Sequence, residues 1–308
     1  MSQFETSSVD FELSLAMPSD YFKLMKPRVM WLVILTAVTG LLLSPGEIDL
    51  VLGIISILCI ALGAGAAGVL NMWYDADIDC MMRRTVARPI PDGRVTKSQA
   101  LNFGMVFSIF SVLMLGLLVN WVAGFLLAFT IFFYVVVYTM WLKRYTPQNI
   151  VIGGVAGSLP PMIGWTCVSG ELSLRSLVLF AIIFIWTPPH FWALALYQEA
   201  DYEHASIPMM PNIAGQRSTR NQMLVYSLFL APIGILPWLF DFASPIYGVI
   251  SLFLGLIFVV LTYRVWLVDS HDSDLKAEKQ LFRFSIFYLL SLFVILLIEA
   301  LAKLLWIR

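Results

Sequence analysis

Charge is what this sequence has least of. Of its 308 residues only 13% are Asp, Glu, Lys or Arg, about half the share an average soluble domain carries. A soluble chain of this length could not cover its surface with so few. Intrinsic disorder is excluded on the same ground, because it needs low hydrophobicity and high net charge. No basic excess exists: 19 Lys and Arg stand against 20 Asp and Glu. That removes nucleic acid as a partner held by a basic surface. Cysteine is scarce too. Cys59, Cys80 and Cys167 lie far apart and form no CxxC pair, so neither a disulfide scaffold nor a thiolate metal site is indicated. They read as small apolar residues.

What is abundant is apolar sequence, at 60% of the chain with a mean hydropathy of +0.85. Nine apolar segments cover 29–45, 50–70, 101–119, 121–142, 150–168, 173–196, 222–240, 246–267 and 284–306. Most approach the roughly 20 residues a helix needs to span the hydrocarbon layer of a lipid bilayer. Unbroken runs of this length exclude barrel strands. The expected fold class is all-α: a polytopic membrane protein of nine transmembrane helices bundled around a central cavity that opens to the cytoplasmic side. The expected organisation is a cytoplasmic N-terminal tail, 1–28, and a single transmembrane domain, 29–308. The tail is acidic and then basic, which suits a native bacterial terminus better than a cleaved signal or an Arg-rich transit peptide.

Nine spans place the termini on opposite sides. With the N-terminus in the cytoplasm, 16 of the 19 Lys and Arg fall on that side, leaving only Arg175, Lys303 and Arg308 outside. The positive-inside bias therefore predicts a bacterial cell inner (cytoplasmic) membrane protein with a cytoplasmic N-terminus and a periplasmic C-terminus. The long connections, 71–100, 197–221 and 268–283, lie on the cytoplasmic side and are the places to look for function.

Gly63-Ala64-Gly65-Ala66-Ala67-Gly68 matches GxGxxG but sits inside an apolar helix, without the strand that a dinucleotide fold requires. Small residues at that density let helices approach closely. More informative is the end of the second span, where Asn71, Asp75 and Asp79 stand four residues apart. At about 100° per residue they fall within roughly 80° of one helical face, and Arg83 continues it. Two carboxylates and an amide oxygen in a row repel unless a cation lies among them. Oxygen-only donors favour a hard ion, and Mg²⁺ takes one or two carboxylates together with phosphate oxygens and water. Asp77 points away from the row.

Arg83, Arg84, Arg88 and Arg94 follow directly. Basic residues after an acidic row suit a polyanion that is also metal-bound, such as diphosphate, which Arg grips with a two-pronged donor fork. Arg83 and Arg88 are assigned this role; Arg84 and Arg94 read equally well as headgroup anchors. Lys143 and Arg144, closing the fourth span, are read as a second anion clamp, the alternative being cations favoured at a helix C-terminus. The sixth span holds Pro188-Pro189, which should kink it. If helix resumes, His190, Tyr197 and Asp201 share a face, and Asp201 would oppose Asp75 and Asp79 across a cleft. Asn212, Arg217 and Arg220 could rim it. Trp186, Phe191, Trp192, Tyr197, Tyr134 and Tyr138 could flank an apolar cavity whose aromatic faces stabilise a cation, although each alone suits ordinary packing.

Asn71-x-x-x-Asp75-x-x-x-Asp79 resembles the first aspartate motif of the UbiA superfamily of intramembrane prenyltransferases. Four stretches resemble its protoheme-farnesylating branch: Asn71 to Arg94, Lys143 to Gly154, Trp186 to Leu196, and Asp201 to Pro211. The resemblance runs from about residue 20 to 300. It implies Mg²⁺-assisted transfer of a farnesyl group from farnesyl diphosphate to a vinyl group of protoheme IX (heme B), giving heme O and diphosphate. By position it implies that Asn71, Asp75 and Asp79, with Asp201, are the catalytic and metal-holding residues. Arg83, Arg88, Lys143 and Arg144 would bind diphosphate. His190 would lie near the porphyrin, with Tyr197 beside it. A heme A synthase is the implied downstream partner. One departure stands out: the earlier acidic position of the superfamily's second motif reads Tyr197-Gln198, and only Asp201 clearly fits. Two other readings remain open. One is a prenyltransferase acting on a quinone-precursor aromatic acceptor. The other is a polytopic transporter, which should carry its acids deep within spans rather than at helix ends.

Overall fold

A computed structural model describes residues 16–268 and 275–306. Residues 1–15 of the expected tail and Arg308 of the charge count lie outside it. Fourteen helices account for nearly all of the described chain: α1 (Pro18–Leu24), α2 (Pro27–Leu43), α3 (Leu50–Tyr74), α4 (Ala76–Asp79), α5 (Lys97–Leu118), α6 (Trp121–Phe132), α7 (Asn149–Ser158), α8 (Pro160–Ser169), α9 (Leu174–Tyr197), α10 (Glu199–His204), α11 (Met210–Ala214), α12 (Gln216–Leu239), α13 (Pro245–Leu267) and α14 (Lys276–Trp306). Helix α6 runs directly into a π-helical segment, Phe133–Leu142. No strand occurs among the described residues.

Eight helical stretches are long and apolar enough to span a bilayer, and a ninth forms if α1 and α2, bent by 59°, count as one. The all-helical multi-pass class is as expected, and the expected spans reappear with shifted ends. Helix α3 runs four residues beyond its apolar core, to Tyr74, α12 begins six residues early, at Gln216, and α14 begins eight early, at Lys276. All three extensions lie at the end of the bundle that carries Asp75. Polar residues there can continue a helix whose hydrogen bonds are already propagating. Helix α1 lies within the stretch read as a tail, with Leu24 buried against Val69 and Met72 of α3.

Local chemistry sets the starts. Asp49 caps α3 by accepting from the Val51 and Leu52 amides, Asn120 caps α6, and Thr96 with Gln99 forms a reciprocal box at α5. Gly170, at φ +71°, ends α8 in the left-handed conformation that glycine adopts without penalty. Close approach explains the small residues. A Cβ on Gly40 would lie 2.0 Å from the Pro161 carbonyl oxygen, and one on Gly164 the same distance from that of Ala37, so α2 and α8 touch backbone to backbone. The GxGxxG stretch lies inside α3 as expected, where Cβ atoms on Gly63 and Gly65 would meet Ser111, Leu127 and Met25.

Two large apolar cores result, beside two smaller clusters. One joins α9, α12, α13 and α14 around Trp192, Phe258 and Phe293. The other joins α2, α3, α5, α6 and α8 around Ile60, Leu127 and Ile163. Leu, Ile, Val and Phe side chains cover much of the outer surface, including Leu58, Val106, Phe125, Val249 and Phe253. In water such a surface would aggregate; against acyl chains it is solvated.

Candidate active site

The acidic row forms at the end of α3. The helix breaks at Asp75 and restarts as the single turn α4, yet the row survives. The Asp75 amide donates to the Asn71 carbonyl and the Asp79 amide to the Asp75 carbonyl, at 2.9 and 2.8 Å. Asn71, Asp75 and Asp79 are all buried. Arg83 is a correction to the expected face. Helix α4 stops at Asp79, and the intervening turn leaves Arg83 exposed, without a partner among the described residues.

Four cations converge on the row from three parts of the chain. Lys143 forms an ion pair with Asp75. Arg88 Nη1 lies 2.6 Å from Asp79 Oδ2. Arg144 grips Asp77 with two bonds of 2.8 Å, packs its guanidinium 4.8 Å from the Tyr74 ring, and reaches within 3.9 Å of Asp75 Oδ1. Lys26, from the bend between α1 and α2, donates to Asn71 Oδ1 at 2.5 Å and to the Tyr134 hydroxyl at 3.4 Å. The Asn71 amide group in turn donates to Asp75 Oδ2 at 2.8 Å and to Thr139 Oγ1 at 2.9 Å. Asp77, set aside in the sequence because it points off the row, orients Arg144. Its carboxyl is held below the usual aspartate range, chiefly by that hydrogen bond.

The π-helical segment positions one wall. A π turn advances more residues per turn than an α turn, and such segments cluster at functional sites. Here the Lys143 amide donates to the Tyr138 carbonyl five residues back, and Thr139 Oγ1 donates to the Tyr134 carbonyl, also five back. Tyr134 and Tyr138 stack with centroids 5.5 Å apart. Tyr138 packs so closely on Gly153 that a Cβ there would fall 2.2 Å from the ring. The loop after the segment is tied down by Asn149, which donates to the Thr146 and Pro208 carbonyls.

A second group gathers on α9 and α14. Helix α9 runs on through Pro188-Pro189 to Tyr197. His190 is buried between Trp186 and Phe282, with ring centroids 4.2 and 4.7 Å away, and its Nδ1 lies 2.6 Å from the Ser285 hydroxyl. Tyr197 meets Phe282 edge-on at 5.8 Å. The two residues expected to share a face therefore share Phe282. Asp201, on α10, is half-buried and makes no side-chain hydrogen bond or ion pair among the described residues. Its neighbour Tyr202 takes the partner instead, accepting from Arg84 at 3.1 Å. Burial pushes the Tyr202 phenol up. Of the three residues expected at the rim, Arg217 and Arg220 lie elsewhere, Arg217 on Trp266, while Asn212 stays beside α10. Arg220 forms a buried pair with Glu278 at 3.0 Å, and Asn212 donates to the Glu199 carbonyl. Trp192 lies in the core against Tyr226, as ordinary packing.

Among the described residues no three His, Cys, Asp or Glu side chains gather as a metal group. The donor set nonetheless fits a hard divalent ion shared with a polyanion. Asp75 Oδ1 is buried without a hydrogen-bond partner, and a hard ion of this kind takes only one or two protein carboxylates, the remainder being phosphate oxygens and water. Lys26, Thr139, Phe282 and Ser285 join these two groups in the structure, and the sequence pattern does not single them out. Lys26 carries the only signal, a cation before the span-opening Pro27, and it reads equally as a positive-inside charge.

A family model described as the UbiA prenyltransferase family matches residues 32–302. A protein named protoheme IX farnesyltransferase from Brucella ovis is 60% identical over 297 residues, 96% of this chain and 95% of its own. One named protoheme IX farnesyltransferase 2 from Mesorhizobium japonicum is 54% identical over 98% of each chain. Among solved structures, a digeranylgeranylglyceryl phosphate synthase superposes with a TM-score of 0.75 at 15% identity, over 92% of this chain and 98% of that one. A UbiA homolog from Archaeoglobus fulgidus bound to GPP and Mg²⁺ gives 0.62 at 15% identity, over 90% and 99%. At these identities the structures share the fold.

Proposed function

The chain belongs to the UbiA prenyltransferase family, and from that premise we propose that it transfers a farnesyl group from farnesyl diphosphate to a vinyl group of protoheme IX, giving heme O and diphosphate. The observation that carries the reading is the convergence of Lys26, Arg88, Lys143 and Arg144 on the buried Asp75–Asp79 row. Such a surplus of cations at one end of an apolar bundle suits a diphosphate whose isoprenoid tail lies among the helices. The names of the relatives favour protoheme over a quinone-precursor acceptor. The acids at helix ends disfavour a transporter.

The diphosphate oxygens are held by Arg88, Lys143 and Arg144, with Lys26 and the exposed Arg83 reaching in from the rim. These donors stabilise the charge that develops as the C1–oxygen bond of the farnesyl group breaks. Asn71, Asp75 and Asp79 would hold Mg²⁺, with Asp201 completing the set from the opposite side; the ion, when bound, makes diphosphate a better leaving group. Tyr134 and Tyr138 present aromatic faces to the allylic cation and keep water from it. The protoheme macrocycle lies along His190 and Tyr197. Its vinyl carbon bonds to C1, and the resulting cation takes up water and loses a proton, leaving a hydroxyethylfarnesyl substituent. The site faces the cytoplasm across a bacterial inner membrane, as the positive-inside count argues. A heme A synthase is the natural consumer of the product.

The test is incubation of the purified full chain with protoheme, farnesyl diphosphate and Mg²⁺. A product of the mass of heme O, with one diphosphate released per product, is expected. Diphosphate release that does not depend on protoheme, or transfer to a quinone precursor instead, would refute the assignment.

A further inference from the structure

A groove of about 720 Å³ runs between α13 and α14, on the outer face of the bundle and apart from the Asp75 cluster. Phe253, Val260 and Phe287 line it, and each is more than half exposed. Arg264, Gln280 and Arg283 close one end. By the alternating course of the spans this is the end of the bundle that carries Asp75. The eleven steps from Phe253 to Arg264 correspond to about 16 Å of helix, close to half the hydrocarbon thickness of a bilayer. Arg88, Arg144 and Arg220 all have carboxylate partners. Neither Arg264 nor Arg283 makes a hydrogen bond or an ion pair among the described residues. Two guanidinium groups without a carboxylate partner among the described residues therefore stand at headgroup depth over an apolar channel one leaflet long.

We propose that this groove binds an anionic phospholipid, with one acyl chain along α13 and the phosphodiester on Arg264 and Arg283. The apolar wall takes the chain. The two guanidinium groups offer charge-assisted donors to the phosphate, and Gln280 adds a neutral donor. Neither arginine belongs to the diphosphate cluster; Arg283 follows Phe282, whose ring packs on His190 and Tyr197, so competition by protoheme is part of the test.

Native mass spectrometry of the full chain in mild detergent tests this, with dioleoyl phosphatidylglycerol and dioleoyl phosphatidylcholine as matched probes. Retention of phosphatidylglycerol on the order of tenfold above phosphatidylcholine is expected, since each basic residue near a membrane surface contributes appreciably to anionic-lipid binding. Arg264→Gln with Arg283→Gln should bring the ratio near one while elution and melting in detergent stay unchanged. Val260→Trp fills the groove and should lower phosphatidylglycerol retention with both arginines intact. A wild-type ratio near one overturns the proposal without recourse to any variant. So does a double variant that folds and keeps the preference, or displacement of phosphatidylglycerol by an equal concentration of protoheme.

Discussion

Asp75→Asn is the most revealing substitution in this protein. The carboxylate is fully buried, pairs with Lys143, whose side chain is 17% exposed, and lies 3.9 Å from Arg144 Nη2. The amide is nearly isosteric, so the change removes charge and little else. One unit charge acting over about 4 Å at an effective dielectric of about 20 is worth roughly 4 kcal/mol, or about a thousandfold in rate if it is expressed at the transition state. Farnesyl transfer, read as product mass and diphosphate release at saturating protoheme, should fall by about that factor. A purely structural account competes with this one, because the substitution strands Lys143 as a half-buried cation. Insertion and melting in detergent separate them. If Asp75 serves the metal-bound diphosphate, Asp75→Asn loses transfer while it inserts and melts close to wild type. A loss of transfer matched by a loss of the fold, or an Asp75→Asn protein that turns over normally, would defeat the reasoning.

Four further outcomes follow from the same geometry. Arg88→Gln removes a charge-assisted contact worth about 1.5–3 kcal/mol and should raise KM for farnesyl diphosphate by roughly ten- to a hundredfold in steady-state assays. Asp77→Asn should leave transfer within a few-fold, since among the described residues its carboxylate forms an ion pair with Arg144 alone. Because the folded pKa of Asp77 is depressed, the stability it contributes is complete above the ordinary value of about 4. The melting difference between this variant and wild type should therefore hold at neutral pH and fade as pH drops through the lowered value. Gly164→Ala places a Cβ 2.0 Å from the Ala37 carbonyl oxygen and should cost about 1–3 kcal/mol, seen as a lower melting temperature in detergent, with retained melting counting against the α2–α8 contact. Ser285→Ala removes the hydroxyl on His190 Nδ1 and should raise KM for protoheme while leaving that for farnesyl diphosphate unchanged.

The fold was legible because a bilayer permits so few solutions. A run such as Leu50–Leu70 can only be a spanning helix, and the small residues within it announce close packing before any partner is known. Helix ends were less legible. Hydropathy falls where charge begins, but α12 and α14 continue six and eight residues past that point, held by polar contacts such as Arg220–Glu278 that no local pattern encodes. The i, i+4 row was readable because both ends of each contact lie in one stretch of sequence. Its extension to Arg83 failed because a single turn after Asp79 redirects the chain. The partners of the row were partly readable: Lys143 and Arg88 stood out as cations near acids. Lys26 lies 45 residues before Asn71 and Ser285 lies 95 after His190, so only the tertiary fold reveals them. The π-helical register of Phe133–Leu142 had no readable signature either, since an apolar run is equally compatible with an α-helix.

The pairing pattern explains how a buried site tolerates so much charge. Asp75, Asp77 and Asp79 face Lys26, Lys143, Arg144 and Arg88, and every one of these cations has an oxygen partner. Isolated, each buried ion would cost several kcal/mol; in pairs the cost is largely offset. Three carboxylates against four cations leave one positive charge. A triply ionised diphosphate carrying one divalent ion brings one negative charge, so the pair is neutral when loaded. Binding then becomes an exchange of partners in which the cations turn from carboxylate to phosphate and the carboxylates from cation to metal. The diphosphate without a divalent ion would arrive with its full charge and leave Asp75 and Asp79 unpaired once their cations turned away. On this logic farnesyl diphosphate and Mg²⁺ bind with positive coupling. Calorimetric titration should show the affinity for each rising in the presence of the other, and Asp75→Asn should abolish that coupling rather than merely weaken one of the two affinities.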